Sequence, residues 1–172
     1  MLKIDHAAPA LSFPLLGGGT FRLSDESPDN FTLVLFYRGL HCPLCRKQIE
    51  GDVVPNLGKL AELGVEIVAV SMDDKDRAEK QAAEWGFGDL RVGYGLSEAS
   101  AREWGLYMSS ARPDTAEPAI FNEPGMTLVR PDGKVFANWQ QSVPFSRPLI
   151  ADLLGGLNFV INNHYPPRGT AT

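Results

Sequence analysis

Phe31-Thr32-Leu33-Val34-Leu35-Phe36-Tyr37-Arg38-Gly39-Leu40-His41-Cys42-Pro43-Leu44-Cys45-Arg46 holds the only two cysteines of this 172-residue chain. The run from Phe31 to Tyr37 is apolar without alternation, as expected of a strand buried on both faces. From Pro43 onward the pattern changes to a helical one. Ile49, Val53, Leu57, Leu60 and Leu63 recur every three or four residues, predicting a helix from Pro43 to Leu63. Gly51 and Pro55 interrupt it, and an interior proline costs about 3 kcal/mol, so a kink or break is expected before Pro55. The CxxC pair therefore lies where a buried strand gives way to a helix. Free N–H groups of a first helical turn, and the positive end of its dipole, stabilise a thiolate there. A thiol with a pKa of about 8.5 is only about 3% ionised at pH 7, and lowering that value to about 6.5 makes it roughly three-quarters thiolate.

Other uses of the pair are weaker. A structural zinc site needs four ligands, and beyond the cysteines the chain offers only the scattered His6, His41 and His164. A c-type haem needs a histidine directly after the second cysteine, where Arg46 stands. Two ordinary core cysteines remain the plain alternative. No cofactor and no metal is expected.

Working outward, residues 8–30 are punctuated by Pro9, Pro14 and Gly17-Gly18-Gly19. Leu11-Ser12-Phe13 and Thr20-Phe21-Arg22-Leu23 predict a small hairpin around the glycines. After Gly64, Val65 to Val70 predicts a second buried strand. Asp73 or Asp74 caps a helix ending at Gly86. Leu90 to Val92 predicts a short third strand, and Ser97 caps a helix over Glu98 to Trp104, stopped by Gly105. Residues 106–123 show no period and are expected to be an irregular loop that is either functional or surface decoration. Met126 to Arg130 and Lys134 to Trp139, joined by Pro131-Asp132-Gly133, predict a hairpin. A last helix is expected from near Ser146, with Leu149, Ile150, Leu153, Leu154, Leu157, Val160 and Ile161 on one stripe, ending before Pro166-Pro167. The tail after Pro166 is expected to be mobile. Strand–helix alternation followed by a hairpin demands an α/β fold whose central sheet is mixed, with helices on both faces.

Length and composition bound the rest. The chain is long enough for one well-cored domain and too short for two ordinary ones, so residues 1–172 are expected to form a single domain with its core over about 8–162 and a tail over 163–172. Hydrophobic residues make up 44% and charged ones 22%, with a formal net charge of −5, values of a soluble globular protein. No Lys/Arg-dense stripe suits a nucleic acid. No run of about 18 apolar residues suits a membrane, and the N-terminus lacks a sustained apolar segment. The expected location is the cytoplasm, whose reducing conditions favour a cycling pair over a permanent staple.

With these residues in order, the chain resembles the thioredoxin-fold superfamily, and within it the peroxiredoxin-like (alkyl hydroperoxide reductase/thiol-specific antioxidant) family. The resemblance covers about residues 8–162. It rests on the N-terminal hairpin, Phe36-Tyr37-Arg38-Gly39 before the CxxC, Val70-Ser71-Met72-Asp73 after the second strand, and Pro131-Asp132-Gly133. It implies a thioredoxin-like three-layer sandwich with an N-terminal β-hairpin extension, and a redox-active disulfide. Two registers compete for the chemistry. On the peroxiredoxin pattern P-x-x-x-T-x-x-C, Arg38 replaces the proline, Cys42 replaces the threonine, and Cys45 is the attacking cysteine. On the thioredoxin pattern Cys42 attacks and Cys45 resolves.

Peroxiredoxins carry a thiolate-stabilising arginine nine residues before the hairpin glycine; counting back from Gly133 reaches Pro124, where thioredoxins carry a cis-proline facing the CxxC. Arg38 is the candidate for the missing cation. His41 stands where a tryptophan usually precedes the first cysteine, and Pro43-Leu44 replaces Gly-Pro. A protonated His41 would lower a thiolate pKa and make the disulfide more oxidising. Plainer roles are a loop histidine, a strand-end ion pair for Arg38 and a trans loop proline at Pro124.

The resemblance thus nominates Cys42, Cys45, Arg38, Pro124 and His41. It implies a thiol–disulfide oxidoreductase that cycles a Cys42–Cys45 dithiol and disulfide on protein or small-molecule disulfides. The alternative activity is an antioxidant thiol peroxidase, with Cys45 peroxidatic and Cys42 resolving. A third reading, from another class, is a non-catalytic redox-sensing module. Implied partners are a thiol electron donor of thioredoxin or glutathione type and a disulfide or hydroperoxide substrate, with no nucleic acid and no membrane; a homodimer is compatible with it.

Overall fold

The structure is a computed structural model and describes residues 2–171. Its strands are β1 (Ser12–Pro14), β2 (Thr20–Arg22), β3 (Phe31–Phe36), β4 (Val65–Val70), β5 (Arg91–Gly93), β6 (Met108–Ser110), β7 (Ile120–Asn122), β8 (Gly125–Val129) and β9 (Val135–Gln140). Its α-helices are α1 (Pro43–Gln48), α2 (Leu57–Glu62), α3 (Lys75–Glu84), α4 (Glu98–Glu103) and α5 (Ile150–Asn162). The central sheet has the order β5-β4-β3-β8-β9. β3, β4 and β5 run parallel, whereas β8 and β9 pair antiparallel, from Thr32↔Val129 to Phe36↔Gly125 across the β3–β8 seam.

Every residue of β3 is buried, because this strand has a neighbour on each edge and packing on each face. Its side chains alternate between two cores. Phe31, Leu33 and Leu35, with Tyr37 beyond the strand, join Cys42, Cys45, Ile49, Val53, Leu60, Ile150 and Leu157 under α1, α2 and α5. Val34 and Phe36 face Phe13 and Phe21 of the N-terminal hairpin and Ala101 and Trp104 of the α4 region. The mixed sheet, the helices on both faces and the antiparallel β1–β2 hairpin are the expected architecture.

One expectation, the break before Pro55, holds in a finer form, and two others need correction. The helix from Pro43 to Leu63 is resolved into four pieces: α1, a wide π-type turn over Ile49–Val53, a 3-10 turn over Val54–Asn56, and α2. Pro55 has no N–H to offer the carbonyl of Gly51 and its ring crowds that carbonyl, so the chain widens before the proline and tightens at it. Residues 106–123 are not irregular throughout, for β6 and β7 pair antiparallel from Met108↔Asn122 to Ser110↔Ile120. The short strands carry too few residues for a period to show, and the turn between them is held by side chains. The last helix begins at Ile150, not near Ser146. Pro148 keeps Arg147 out of the helical region, and Ser146 sits at φ 59°. The cap comes from elsewhere: Asp52, in the wide turn, accepts the N–H groups of Ile150 at 2.6 Å and Ala151 at 3.1 Å. Among the described residues no helix is long and apolar enough to cross a membrane.

Candidate active site

Cys42 is the N-cap of α1, with Pro43 as the first helical residue, a position where a missing N–H costs nothing. The Cys45 N–H donates to Cys42 Sγ at 3.2 Å, so the sulfur does what a serine or aspartate oxygen does at other helix starts. Both cysteines are unlinked and buried, at 1% and 0% exposure.

The cation at the sulfurs is Arg147. Its Nη2 lies 3.5 Å from Cys42 Sγ and 3.3 Å from Cys45 Sγ. Its Nη1 donates to Gln48 Oε1 at 2.9 Å and its Nε to the Pro144 carbonyl at 2.8 Å. Gln48 Nε2 in turn reaches the Pro148 carbonyl at 3.4 Å. The segment from Gln141 to Leu149 is thus a strap, fixed to the face of α1 one turn beyond Cys45 and, through Asp52, to the start of α5.

These contacts make the two sulfurs unequal. The Cys42 thiol is lowered to about 6, first by the hydrogen bond it shares with Cys45, then against burial by the Arg147 charge and the Cys45 N–H. Cys45 is pushed well above the ordinary thiol range by burial, then by donating to Cys42 and by the charge on Cys42; Arg147 and the Arg38 N–H, 3.4 Å from its sulfur, oppose this only partly. These influences favour the thiolate on Cys42 and the thiol on Cys45.

The loop that carries Cys42 is set by Asp73. Its buried carboxylate accepts Leu40 N–H at 2.7 Å, Arg77 Nε at 2.6 Å and Gln81 Nε2 at 3.1 Å. Gln81 Oε1 takes the Tyr37 hydroxyl at 2.9 Å. Gly39 packs against that carboxylate at φ 111°, where a Cβ would overlap the Asp73 oxygens.

The other nominated residues move to new places. Arg38 does not bring its guanidinium to a sulfur; only its backbone N–H does so. The side chain lies over the Phe121 ring and pairs with Glu117 at 3.3 Å and Glu123 at 3.4 Å, because the β6–β7 hairpin presents two carboxylates there. His41 is no imidazolium. Burial first, then the Arg38 charge, lower it to about 4, and its ring stands edge-on to Phe121. The Glu123–Pro124 peptide is trans, in line with the ordinary preference for X-Pro bonds. Glu123 N–H donates to Tyr107 O and its carbonyl accepts Asn122 Nδ2, so the backbone groups before Pro124 are already engaged. A visiting strand could not pair with the Glu123 N–H without displacing the Tyr107 carbonyl.

Sequence reasoning missed Arg147, Gln48, Asp73, Glu117 and Glu123. One signal for Arg147 was available: it is the only charged residue between Lys134 and Asp152. No group of three or more His, Cys, Asp or Glu side chains that could hold a metal lies among the described residues.

A central parallel strand running into a helix capped by one cysteine of a CxxC, with antiparallel strands alongside, defines a thioredoxin-fold thiol redox protein. The Redoxin family model matches residues 3–147, and the chain belongs to that family. It is a thiol-based oxidoreductase, of the thiol peroxidase or thiol–disulfide oxidoreductase kind. No curated protein sequence matches it. Solved structures share its fold. Peroxidoxin BcpB from Mycobacterium tuberculosis superposes with a TM-score of 0.67 at 17% identity, covering 96% of this chain and 99% of that one. A mutant of the Peroxiredoxin 6 of Arenicola marina gives 0.79 at 11%, covering 96% and 76%. A putative Thiol:disulfide interchange protein DsbE from Chlorobium tepidum gives 0.67 at 20%, covering 94% and 99%.

Proposed function

We propose that the protein is a thiol–disulfide oxidoreductase in which Cys42 attacks and Cys45 resolves. The observation that carries this is the inequality of the sulfurs: Cys42 receives the N–H of Cys45 and the Arg147 charge, while Cys45 is the deeper and remains protonated. The Cys42 thiolate attacks a substrate disulfide, forms a mixed disulfide and expels one thiolate. Cys45 then loses its proton and attacks Cys42 Sγ, closing the Cys42–Cys45 bond and expelling the second thiolate. Two electrons have passed from the dithiol to the substrate, and a thiol donor of thioredoxin or glutathione type returns them, in a reducing compartment such as the cytoplasm. Arg147 holds the attacking anion, Asp73 holds its loop, and Arg38 contributes its N–H to Cys45.

A peroxidase reading is favoured by one particular observation. The same guanidinium and the Arg38 N–H both reach Cys45 Sγ, and neither cysteine is more than 1% exposed, which suits a small oxidant. There Cys45 would attack a hydroperoxide to give a sulfenic acid and release water or an alcohol, and Cys42 would condense with it. The experiment that separates them is single replacement. Under the leading reading Cys42→Ser abolishes disulfide reduction and Cys45→Ser traps a mixed disulfide. Peroxide consumption kept in Cys42→Ser and lost in Cys45→Ser overturns that order. Equal, slow alkylation of both thiols at pH 6 with no turnover would leave only a redox-sensing module.

A further inference from the structure

The backbone and the side chain of Arg38 go to different places. Its N–H lies 3.4 Å from Cys45 Sγ, which puts its Cα, one bond of about 1.5 Å away, within about 5 Å of that sulfur. An extended arginine side chain is longer than that, so covalent geometry lets this guanidinium reach Cys45. The structure holds it elsewhere. Its Nη2 donates to Glu117 Oε1 at 3.3 Å, its Nε lies 3.4 Å from Glu123 Oε2, and its Cζ stands 4.7 Å from the centre of the Phe121 ring. Glu117 belongs to the β6–β7 turn, Phe121 to β7, and Glu123 follows β7.

Stability is a poor explanation for this arrangement. The side chains of Arg38, Glu117 and Glu123 are 13%, 3% and 5% exposed, and charges taken that far out of water lose much of what their attraction returns. The hold is also loosely bonded. Arg38 Nε and Glu123 Oε2 face each other by charge alone, and each is buried without a hydrogen bond among the described residues. Both carboxylates have ties within their own hairpin. Arg112 gives Glu117 a backbone N–H at 2.9 Å and Nη2 at 3.0 Å, and Glu123 Oε1 accepts the Ser109 hydroxyl at 2.7 Å. What the three side chains fix is therefore the place of the Arg38 charge.

We propose that the β6–β7 hairpin captures the Arg38 side chain, and that Glu117 and Glu123 thereby decide which cysteine attacks. They are positioning residues that act through Arg38, and the proposal rests on Cys42 being the nucleophile and Cys45 the resolving thiol. The charged and titratable groups facing Cys45 are Cys42 from the start of α1, Arg147 from the strap, and Tyr37 just beyond β3. Arg147 is shared between the sulfurs, at 3.5 Å and 3.3 Å, so its position does not choose between them. A second guanidinium tethered on the Cys45 side does choose, because an opposite charge within about 4–6 Å lowers a pKa by about 1–3 units. Captured, Arg38 leaves Cys45 a protonated thiol beside the Cys42 anion. Released onto Cys45, it favours the Cys45 thiolate, which can attack hydrogen peroxide. There the sulfur–oxygen bond forms as the oxygen–oxygen bond breaks, and two electrons pass from sulfur to peroxide. The leaving oxygen takes a proton from solvent and departs as water, and Cys45 becomes a sulfenic acid. The hairpin acids thus separate disulfide chemistry at Cys42 from hydroperoxide chemistry at Cys45.

The test is a mutant cycle in Cys42→Ser, where Cys45 is the only cysteine of the chain. The readouts are the pH midpoint of Cys45 alkylation by iodoacetamide and the rate of hydrogen peroxide consumption with dithiothreitol as reductant. Glu117→Gln together with Glu123→Gln removes both charges and keeps their bulk. This pair should lower the Cys45 midpoint by about one unit and raise alkylation and peroxide consumption at pH 7 about 10-fold. The same pair in Arg38→Met should give a much smaller shift. That difference is decisive, since carboxylates acting directly on the sulfur shift the midpoint equally with and without Arg38, whereas capture requires Arg38. Equal shifts in the two backgrounds, or no shift in either, overturn the proposal. Should the double replacement fail to fold, Glu117→Gln alone goes through the same cycle. A smaller gain that depends on Arg38 then supports capture, and no gain, or one independent of Arg38, refutes it. Rapid peroxide consumption by Cys42→Ser with the hairpin acids intact would overturn the proposal together with the assignment of Cys42, whereas equal shifts in the cycle leave that assignment standing.

Discussion

The stretch from Phe31 to Gln48 and the strap from Gln141 to Leu149 meet at the same two sulfurs but are organised in opposite ways. The first works by local rules. An apolar strand, a glycine that turns left-handed, a cysteine at the N-cap and a proline behind it place Cys42 and Cys45 within sixteen residues of chain. The second has almost no structure of its own and borrows every anchor from elsewhere. Its arginine reaches sulfurs 105 and 102 residues away, and the helix it feeds is capped from 98 residues away. The near region creates the nucleophile's position; the distant one supplies its charge. Damage to the first should therefore read out as stability, and damage to the second as reactivity.

The strongest blow to the near region is Gly39→Ala. A Cβ at φ 111° would overlap the Asp73 carboxylate that positions Leu40, combining backbone strain with a steric clash. We expect a loss of about 3 kcal/mol in urea unfolding. No loss, or a gain of up to about 1 kcal/mol as at an unstrained glycine, would mean that the loop is not set by this contact.

Next in size is Arg147→Met, which keeps the bulk of the strap and removes its charge. The Cys42 midpoint, about 6 with Arg147 present, should rise by about one unit, which is about 1.4 kcal/mol. The sign follows from the anion being the form that Arg147 stabilises: alkylation climbs as pH passes the midpoint, so at pH 6 the variant reacts several-fold more slowly and at pH 9 hardly differs. The midpoint should not return all the way to an ordinary thiol, since the hydrogen bond with Cys45 is the larger influence. Unfolding should be little affected. An unmoved midpoint would transfer the credit to Cys45 alone.

These two variants also mark what the sequence could disclose. The strand, the CxxC, the cap at Cys42, both hairpins flanking the core and the break near Pro55 were legible because each is encoded by residues within a few positions of one another. Periodicity also found the apolar stripe of α5, but not its start. Ser146 resembles a cap, yet the cap used is Asp52, and only the folded chain brings that side chain to Ile150. Arg38 and His41 were singled out as cations near the sulfurs because they are near in sequence. In space the hairpin carboxylates Glu117 and Glu123 claim Arg38, and burial neutralises His41. Arg147 was overlooked because the sulfurs it serves lie 105 and 102 residues away in the chain, and its being a lone charge in an apolar stretch does not say what it faces.

Asp52→Ala tests whether the strap depends on its far anchor. It removes the acceptor for two N–H groups at the start of α5, so a cost of about 1 kcal/mol is expected from unfolding, the scale of a lost N-cap. Faster amide hydrogen exchange should be confined to Ile150, Ala151 and the strap. Unchanged exchange there would show that Arg147 alone holds the segment down.

The smallest effect expected is also the one that most sharpens the contrast. Gln48 belongs to the near region by sequence and serves the distant one by contact, accepting Arg147 Nη1 at 2.9 Å. Gln48→Leu preserves the volume and deletes that acceptor. A hydrogen bond of about 0.7 kcal/mol, if it acts by aiming the guanidinium, appears as a rise of about half a unit in the Cys42 midpoint. The same half unit could arise from a direct effect of the amide on the sulfurs. Pairing Gln48→Leu with Arg147→Met distinguishes the two: if Gln48 works only through Arg147, the double variant has the midpoint of Arg147→Met alone. If the shifts add, the amide acts on the thiolate by itself, and the strap is a less separate device than its contacts imply.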